Sequence, residues 1–174
     1  MLEKILNAAL EGEMDAHLTE ESRAGGNRRN GKMNKQVKTP KLYFYDTGLA
    51  CSLLNIISAE QVSSHYLRGE LFENLVVNEF IKHSYNNALT PNLTFWRDST
   101  GNEIDLIDYT FGEKKTYEIK SSHTFPTEFL KGLIKWSQLS HNQENNNFVI
   151  YNGKDELKTS DATVVPWEKF GVMY

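Results

Sequence analysis

Cysteine is almost absent from this chain of 174 residues, in which Cys51 is the single example. One thiol excludes an intrachain disulfide and a cysteine-rich zinc site, so the composition favours a reducing compartment. Long apolar runs are also missing, since no stretch approaches the 18 residues that a transmembrane helix needs. Residues 1–10 lack the basic start, the long apolar run and the cleavage site of a secretory signal. We therefore expect a cytoplasmic protein that does not contact a membrane.

Positive charge is scarce outside the N-terminal part of the chain. Residues 1–38 hold 7 of the 19 basic and 6 of the 23 acidic residues, which leaves the remainder with a net charge of −5. Affinity for DNA comes mostly from Lys and Arg side chains on phosphates. This balance argues against strong autonomous DNA binding by residues 39–174, although some of the acidic residues could be metal ligands. The length allows one globular domain plus an extension.

Two stretches of alternating sequence, residues 101–106 and 117–122, predict neighbouring β-strands. Residues 110–114 between them contain a glycine and are typical of a hairpin loop. In the second strand, Glu118 and Lys120 are two residues apart and therefore share one face. The alternative interpretation is an exposed hairpin with scattered charges, since Glu-x-Lys alone is a weak signal.

The predicted hairpin brings Asp105 opposite Glu118 or within one residue of it, while Ile104 and Leu106 share the other face of their strand. Cross-strand neighbours have Cβ atoms ~5 Å apart, and two carboxylates that close repel unless a positive charge lies between them. A hard cation such as Mg²⁺ or Mn²⁺ suits this position, because Mg²⁺ is usually held by one or two carboxylates. Lys120 would hold a phosphate or orient the attacking water. The pattern predicts metal-assisted phosphodiester hydrolysis.

The same residues carry a resemblance to known families. Asp105, followed on the next strand by Glu118, Ile119 and Lys120, resembles the PD-(D/E)XK pattern of restriction-endonuclease-like nucleases, with Ile104 in place of the proline. Longer runs resemble the C-terminal domain of unknown function of bacterial and archaeal AAA+-type ATPases, and this similarity covers about residues 40–170. The runs that carry it are residues 41–50, 71–79 and 95–98 together with the two motif strands.

This resemblance implies an α/β fold, a restriction-endonuclease-like core with a central mixed sheet flanked by helices. It implies that Asp105 and Glu118 bind Mg²⁺ or Mn²⁺, to which the Ile119 carbonyl adds a ligand. Glu73, on the preceding helix, would be a further acidic catalytic residue. A structural role for Glu73, paired with Arg97 or with a backbone cap, is the alternative. Without the ion, the carboxylates would repel, so Asp105→Asn is expected to stabilise the metal-free protein.

Residues 1–38 have a different character. A helix is predicted to about residue 21, and the Gly- and Asn-rich loop that follows contains no acidic residue. Its candidate nucleic-acid-binding residues are Arg23, Arg28, Arg29, Lys32 and Lys35. Gly26 to Lys32 nearly spells a P-loop, but the next residue is Met33 instead of the Ser or Thr that binds Mg²⁺, so we reject that interpretation.

Three runs of this segment, residues 10–18, 26–31 and 37–39, are similar to the N-terminal region of mutator-type insertion-sequence transposases. The catalytic acidic triad of that family has no counterpart here. We expect a gene fusion in which this leader precedes a nuclease-like domain at residues 39–174 and is dispensable for the folding of that domain.

Three hypotheses of function follow. The first is a Mg²⁺-dependent nuclease-like domain that acts on DNA and needs no small-molecule cofactor. The second is a catalytically inactive module for DNA contact or for interaction with protein partners, including a second copy of the chain. The third is a transposase-derived DNA-binding fragment, which rests on the leader alone.

Overall fold

The computed structural model describes residues 40–140 and 146–173. The predicted leader lies outside the described residues, together with its basic residues Arg23, Arg28, Arg29, Lys32 and Lys35, so these remain predictions. No helix within the described ranges has both the length and the apolar character that are needed to cross a membrane.

The described residues form alternating helices and strands. The helices are α1 (Thr47–Leu53), α2 (Ala59–Ser64), α3 (Arg68–Asn86), α4 (Lys131–Ser140) and α5 (Trp167–Met173), with a 3₁₀ turn at Thr127–Leu130 before α4. The strands are β1 (Leu93–Arg97), β2 (Glu103–Asp108), β3 (Lys115–Lys120), β4 (Asn147–Tyr151), β5 (Leu157–Lys158) and β6 (Thr163–Pro166). The predicted α/β class is confirmed.

The strands form one mixed sheet in the order β1-β2-β3-β4-β6-β5. The pairs β1–β2, β2–β3 and β5–β6 are antiparallel, whereas β3–β4 and β4–β6 are parallel. A parallel pair needs a long crossover, and α4 lies between β3 and β4 in the chain. The hairpin predicted between β2 and β3 is present, and Gly112 in its loop has a φ of 85°.

Helices cover both faces of the sheet. On one face, α3 and α5 pack against the sheet through Val76, Val77, Phe80, Leu106, Tyr117, Ile119, Ile150 and Phe170. On the other face, the 3₁₀ turn and α4 pack through Leu130 and Leu133 against Ile104, Ile107, Val149, Tyr151 and Val164. Strands covered on both faces are expected to be largely apolar. Against that background the buried acidic residues of β2 and β3 stand out.

A bulge in β2 changes which face its side chains occupy. Thr94 pairs with Ile107 and Trp96 with Ile104, so two steps along β1 correspond to three along β2. As a result, Ile104 lies on the α4 face and Leu106 on the α3 face. The expectation that these two residues share a face is therefore wrong, because one extra residue reverses the alternation. Bulges redirect side chains and interrupt pairing, and Asp105 lies at this one.

The sequence before α3 predicts a short aromatic strand at residues 42–45, a helix from Asp46 to about Leu54 and a connection at residues 56–64, and the structure differs at the first and the last of these. Residues 42–45, predicted as a short strand, have no strand partner. Residues 56–64, predicted as an irregular connection, contain α2, which begins after the N-cap Ser58. The helix predicted after Asp46 is present, and the Asp46 side chain accepts the N–H of Leu49 at 3.1 Å as its N-cap.

Candidate carboxylate and lysine site

Two asparagines on α3 hold the extended segment that enters the site. The N–H of Phe44 donates to Asn74 Oδ1 at 2.6 Å, and the carbonyl of Phe44 accepts from Asn74 Nδ2 at 3.0 Å and from Asn78 Nδ2 at 2.7 Å. Asn74 and Asn78 are one turn apart and both buried, so they satisfy a main chain that has no strand partner. Side chains two residues apart on an extended segment point the same way, and Lys41 and Tyr43 both reach Glu73.

Three carboxylates surround the ammonium group of Lys41. Its Nζ lies 2.9 Å from Glu73 Oε1, 2.5 Å from Glu103 Oε1 and 3.3 Å from Asp105 Oδ1. The Tyr43 hydroxyl also donates to Glu73 Oε1. These contacts join the segment before α1, helix α3 and strand β2 in one charged cluster.

The carboxylate of Asp105 joins this cluster to the end of β3. Its Oδ1 faces Lys41, whereas its Oδ2 accepts the backbone N–H of Ile119 at 2.9 Å and lies 3.3 Å from Lys120 Nζ. The same Lys120 nitrogen lies 2.5 Å from Glu118 Oε1. Asp105 and Glu118 therefore contact one ammonium group.

Glu118 is buried on the α4 side of the sheet, with 8% of its surface exposed. Its Oε2 has no hydrogen-bond partner among the described residues. Helix α4 comes so close to β2 here that a Cβ at Gly132 would lie 2.5 Å from the carbonyl oxygen of Glu103 and 3.6 Å from Glu118 Oε2. A buried carboxylate oxygen without a donor needs either a proton or a cation.

The pKa shifts of the acidic groups reflect burial and crowding of negative charge. Burial and then the charge of Asp105 raise the pKa of the Glu118 carboxyl to about 7, against the opposing effect of Lys120. The same two causes raise the pKa of Glu73, although Tyr43 and Lys41 act in the opposite direction. Each of these carboxyls therefore ionises less readily than an exposed glutamate does.

For the two lysines, the effect of nearby charges on the pKa outweighs the effect of burial. Burial alone would lower the pKa of the Lys41 ammonium, but Asp105, Glu103 and Glu73 together outweigh it and raise that pKa. For Lys120, Asp105 and then Glu118 likewise outweigh burial, and its pKa is raised. Both lysines remain cationic at neutral pH and partly neutralise the carboxylates around them.

A cavity of about 350 Å³ opens beside the cluster. Its lining residues are Lys41, Leu42, Tyr43, Glu70, Glu73, Arg97, Glu103 and Asp105. Of the four predicted catalytic residues, Glu73 and Asp105 form part of this wall. Glu118 and Lys120 contact each other behind Asp105 and do not line the cavity.

The structure thus brings Glu73, Asp105, Glu118 and Lys120 into one connected group, while their catalytic roles stay predictions. Ile119 contributes its N–H to Asp105, and the role of its carbonyl as a metal ligand stays a prediction.

The alternative partner considered for Glu73 is wrong. Arg97 forms a two-point ion pair with Glu103, at 2.9 Å from Nε to Oε2 and 3.0 Å from the terminal nitrogen to Oε1. Glu73 pairs instead with Lys41.

Sequence reasoning missed Lys41, Tyr43 and Glu103 as site residues. A signal was present, because Asn74 and Asn78 lie four residues apart among the apolar residues of α3. Buried amides in that spacing need main-chain partners, and the extended segment that they bind places Lys41 and Tyr43 in the site.

The acidic side chains of the site fit a hard cation only if two carboxylates and several waters bind it. Among the described residues, no three His, Cys, Asp or Glu side chains are arranged to bind a metal ion together. Two carboxylates, Asp105 and Glu118, with waters completing the shell, are nevertheless enough for Mg²⁺. The unpartnered Oε2 of Glu118 is the observation that supports this fit.

The fold and the site define an α/β domain with a buried carboxylate and lysine cluster at a bulge in its central sheet. The family described as Domain of unknown function (DUF4143) matches residues 68–170, more than half of the chain. The chain therefore belongs to this family. The matched range contains Glu73, Asp105, Glu118 and Lys120, whereas Lys41 and Tyr43 lie before it. No curated protein and no solved structure matches the chain.

Proposed function

We propose that this chain is a nuclease-like domain that hydrolyses phosphodiester bonds of DNA with Mg²⁺ or Mn²⁺. The observation that carries the proposal is the contact of Asp105 and Glu118 with the single ammonium group of Lys120. An acidic residue at the β2 bulge, followed on β3 by Glu-x-Lys, resembles the PD-(D/E)XK arrangement. On this proposal the sheet is a restriction-endonuclease-like core, and the domain derives from the C-terminal part of an AAA+-type ATPase.

Each residue would have a separate task. Asp105 and Glu118 would hold the ion with the Ile119 carbonyl. When bound, the ion would polarise a phosphoryl oxygen and lower the pKa of a water molecule. Lys120, with 31% of its side chain exposed, can reach from this point towards solvent and orient a phosphate or the attacking water. Glu73 would assist through its contacts with Lys41 and Tyr43.

Cleavage of plasmid and branched DNA by the full chain, with Mg²⁺, with Mn²⁺ and with EDTA, tests this proposal. We expect metal-dependent cleavage that Asp105→Asn, Glu118→Gln and Lys120→Ala abolish. Lys82→Ala is the matched control, since Lys82 forms an exposed pair with Glu79 on α3. No cleavage by the native chain, or equal cleavage by Asp105→Asn, would contradict the proposal.

Binding of the metal itself is a separate readout. An ion that binds only the folded chain stabilises it by ~1.4 kcal/mol at ten times its Kd. The melting temperature of the native protein should therefore rise in millimolar Mg²⁺ or Mn²⁺. Lys120→Ala should retain this rise, because Lys120 is assigned to water and phosphate. Asp105→Asn should lose it.

A non-catalytic interaction module is the second candidate. It is favoured by the pairing of both lysines with the carboxylates, which compensates much of the charge without any ion. The net charge of −5 after residue 38 also suits protein partners better than DNA. This candidate predicts neither cleavage nor a change of melting temperature with Mg²⁺ or Mn²⁺.

A transposase-derived DNA-binding fragment would depend on residues 22–38, which lie outside the described residues. This candidate is favoured if the affinity for DNA falls with rising salt concentration and is lost when Arg28 and Arg29 are replaced.

A further inference from the structure

In the proposed hydrolysis Lys41 acts only through its contact with Glu73, yet its ammonium group has three carboxylate partners. Glu73 belongs to α3, whereas Glu103 and Asp105 belong to β2, and all three have an oxygen within 3.3 Å of Lys41 Nζ. An ammonium group has three N–H donors, so each carboxylate can accept one. Only 13% of the Lys41 side chain is exposed. The ammonium group therefore occupies the point at which these three carboxylates converge.

The position of this charge is fixed by the chain itself. Phe44, three residues after Lys41, is bound through its N–H and its carbonyl to Asn74 and Asn78. An exposed lysine loses side-chain entropy when it forms an ion pair, so most such pairs contribute little to the stability of a protein. Lys41 differs because the segment that carries it is anchored at Phe44 and its partners are partly buried. Removing it would leave three carboxylates facing one another.

We infer that Lys41 is the resident cation of the Glu73, Glu103 and Asp105 cluster and that its charge opposes the binding of a divalent ion by Asp105 and Glu118. Lys41 is thus a positioning residue, which fixes Asp105 Oδ1 while Oδ2 faces Ile119 and Lys120. Its charge weakens the binding of a second cation nearby, so Lys41 sets the metal concentration at which the site fills. The inference rests on the proposed function in one respect, the ability of Asp105 and Glu118 to bind a divalent ion.

The first measurement compares Mn²⁺ binding by full-length native protein, Lys41→Met and Lys41→Gln. Free Mn²⁺ is followed by its electron paramagnetic resonance signal, and melting temperatures are measured in EDTA and in Mn²⁺. Without metal, both variants should melt lower than native, by roughly 5 °C or more. Loss of the opposing charge should tighten Mn²⁺ binding by at least about tenfold. Adding Mn²⁺ should therefore reduce the difference in melting temperature between the native protein and the two variants.

Three controls locate the effect. Lys82→Met removes a lysine from an exposed ion pair and should leave Mn²⁺ binding unchanged. Lys41→Arg keeps the positive charge and should bind Mn²⁺ as weakly as native protein does. Adding Asp105→Asn to Lys41→Gln should abolish the gained binding, which would place the ion at Asp105.

The outcomes separate this inference from the proposed function. If native protein cleaves DNA but both neutral variants bind Mn²⁺ no more tightly than native, the inference about Lys41 is wrong and the nuclease proposal stands. If native protein cleaves nothing but the neutral variants gain Mn²⁺ binding, the Lys41 inference stands and the nuclease proposal fails. Lys41→Gln keeps a hydrogen-bond donor at this position, so the comparison remains available if Lys41→Met does not fold.

Discussion

The carboxylate of Asp105 accepts the backbone N–H of Ile119 at 2.9 Å, just beyond Leu106 and Tyr117, where the pairing of β2 with β3 ends. A side chain thus satisfies a main-chain donor of the central sheet. The β2 bulge makes this possible, because the extra residue interrupts the regular alternation at Asp105. Sheet geometry and site geometry therefore depend on the same residue.

Replacing Asp105 by Asn should destabilise the metal-free protein, contrary to the expectation from the sequence. That expectation assumed that Asp105 and Glu118 face each other without an intervening charge. In the structure Asp105 contacts the ammonium groups of both Lys41 and Lys120. Removing one partner of a buried ion pair lowers the free energy of unfolding by ~3–5 kcal/mol. Because the remaining carboxylates no longer repel a charge at position 105, we expect a loss of about 2 kcal/mol. Urea unfolding in EDTA measures it, and a variant as stable as native would show that these ion pairs contribute little.

The stability of the protein should depend on pH through Glu118. Burial and the charge of Asp105 raise the pKa of this carboxyl from 4.5 to about 7 in the folded state. The folded chain therefore holds a proton that the unfolded chain releases, so the stability contributed by Glu118 is present below pH 4.5 and is lost as pH rises through about 7. In Glu118→Gln the side chain keeps nearly the same size and shape but no longer ionises.

The free energy of unfolding of native protein, relative to that of Glu118→Gln, should fall by on the order of 1–3 kcal/mol between pH 4.5 and pH 8. Urea unfolding at several pH values in EDTA measures this difference. Glu79→Gln is a suitable control, since Glu79 forms an exposed pair with Lys82. A constant difference across the range would mean that the Glu118 carboxyl is not perturbed by its surroundings.

Sequence reasoning located the acidic pair because strand alternation and a hairpin loop are local properties. Asp105, Glu118 and Lys120 lie on two adjacent strands, and the glycine loop between the strands brings them together. The bulge could not be predicted in this way, because it is defined by the pairing of β2 with β1 and not by the pattern of β2 itself. The face of Ile104 was misassigned for this reason.

Lys41 was missed for a related reason. The composition of residues 42–45 favours a strand, and the main chain of a strand would form hydrogen bonds with a neighbouring strand of the sheet. The side chains of Asn74 and Asn78 supply those partners instead, 30 or more residues along the chain. Contacts of that separation depend on tertiary packing, which local sequence patterns do not report.

Loss of the Asn74 side chain should disturb the site from a distance. Asn74→Ala removes the acceptor of the Phe44 N–H and one donor to its carbonyl, and an unsatisfied buried group costs ~1–3 kcal/mol. Asn78→Ala removes only one donor to that carbonyl and should cost less, since Asn74 still donates to it. Because the same segment carries Lys41, we expect Asn74→Ala to tighten Mn²⁺ binding as well. Chemical unfolding and Mn²⁺ titration of both variants test this order, and equal effects of the two would contradict it.

The close contact between α4 and β2 should not tolerate a side chain at Gly132. Alanine is favoured over glycine by ~1 kcal/mol within a helix, so propensity alone predicts a more stable variant. A Cβ at Gly132 would instead lie 2.5 Å from the carbonyl oxygen of Glu103, a main-chain atom that can move only with its strand. Overpacking of this kind costs ~1–3 kcal/mol. Gly69→Ala is the matched control, since Gly69 lies in the first turn of α3 and a Cβ there would have nothing within 4 Å.

We therefore expect Gly132→Ala to lower the melting temperature and Gly69→Ala to leave it unchanged or raise it slightly. Displacing Glu103 should also move its neighbour Asp105, so the Mn²⁺ response of Gly132→Ala should be weaker than that of native protein. Thermal melting with and without Mn²⁺ measures both effects. A Gly132→Ala variant with native stability would mean that α4 can move away from the sheet, and the burial of Glu118 beneath α4 would then no longer account for its raised pKa.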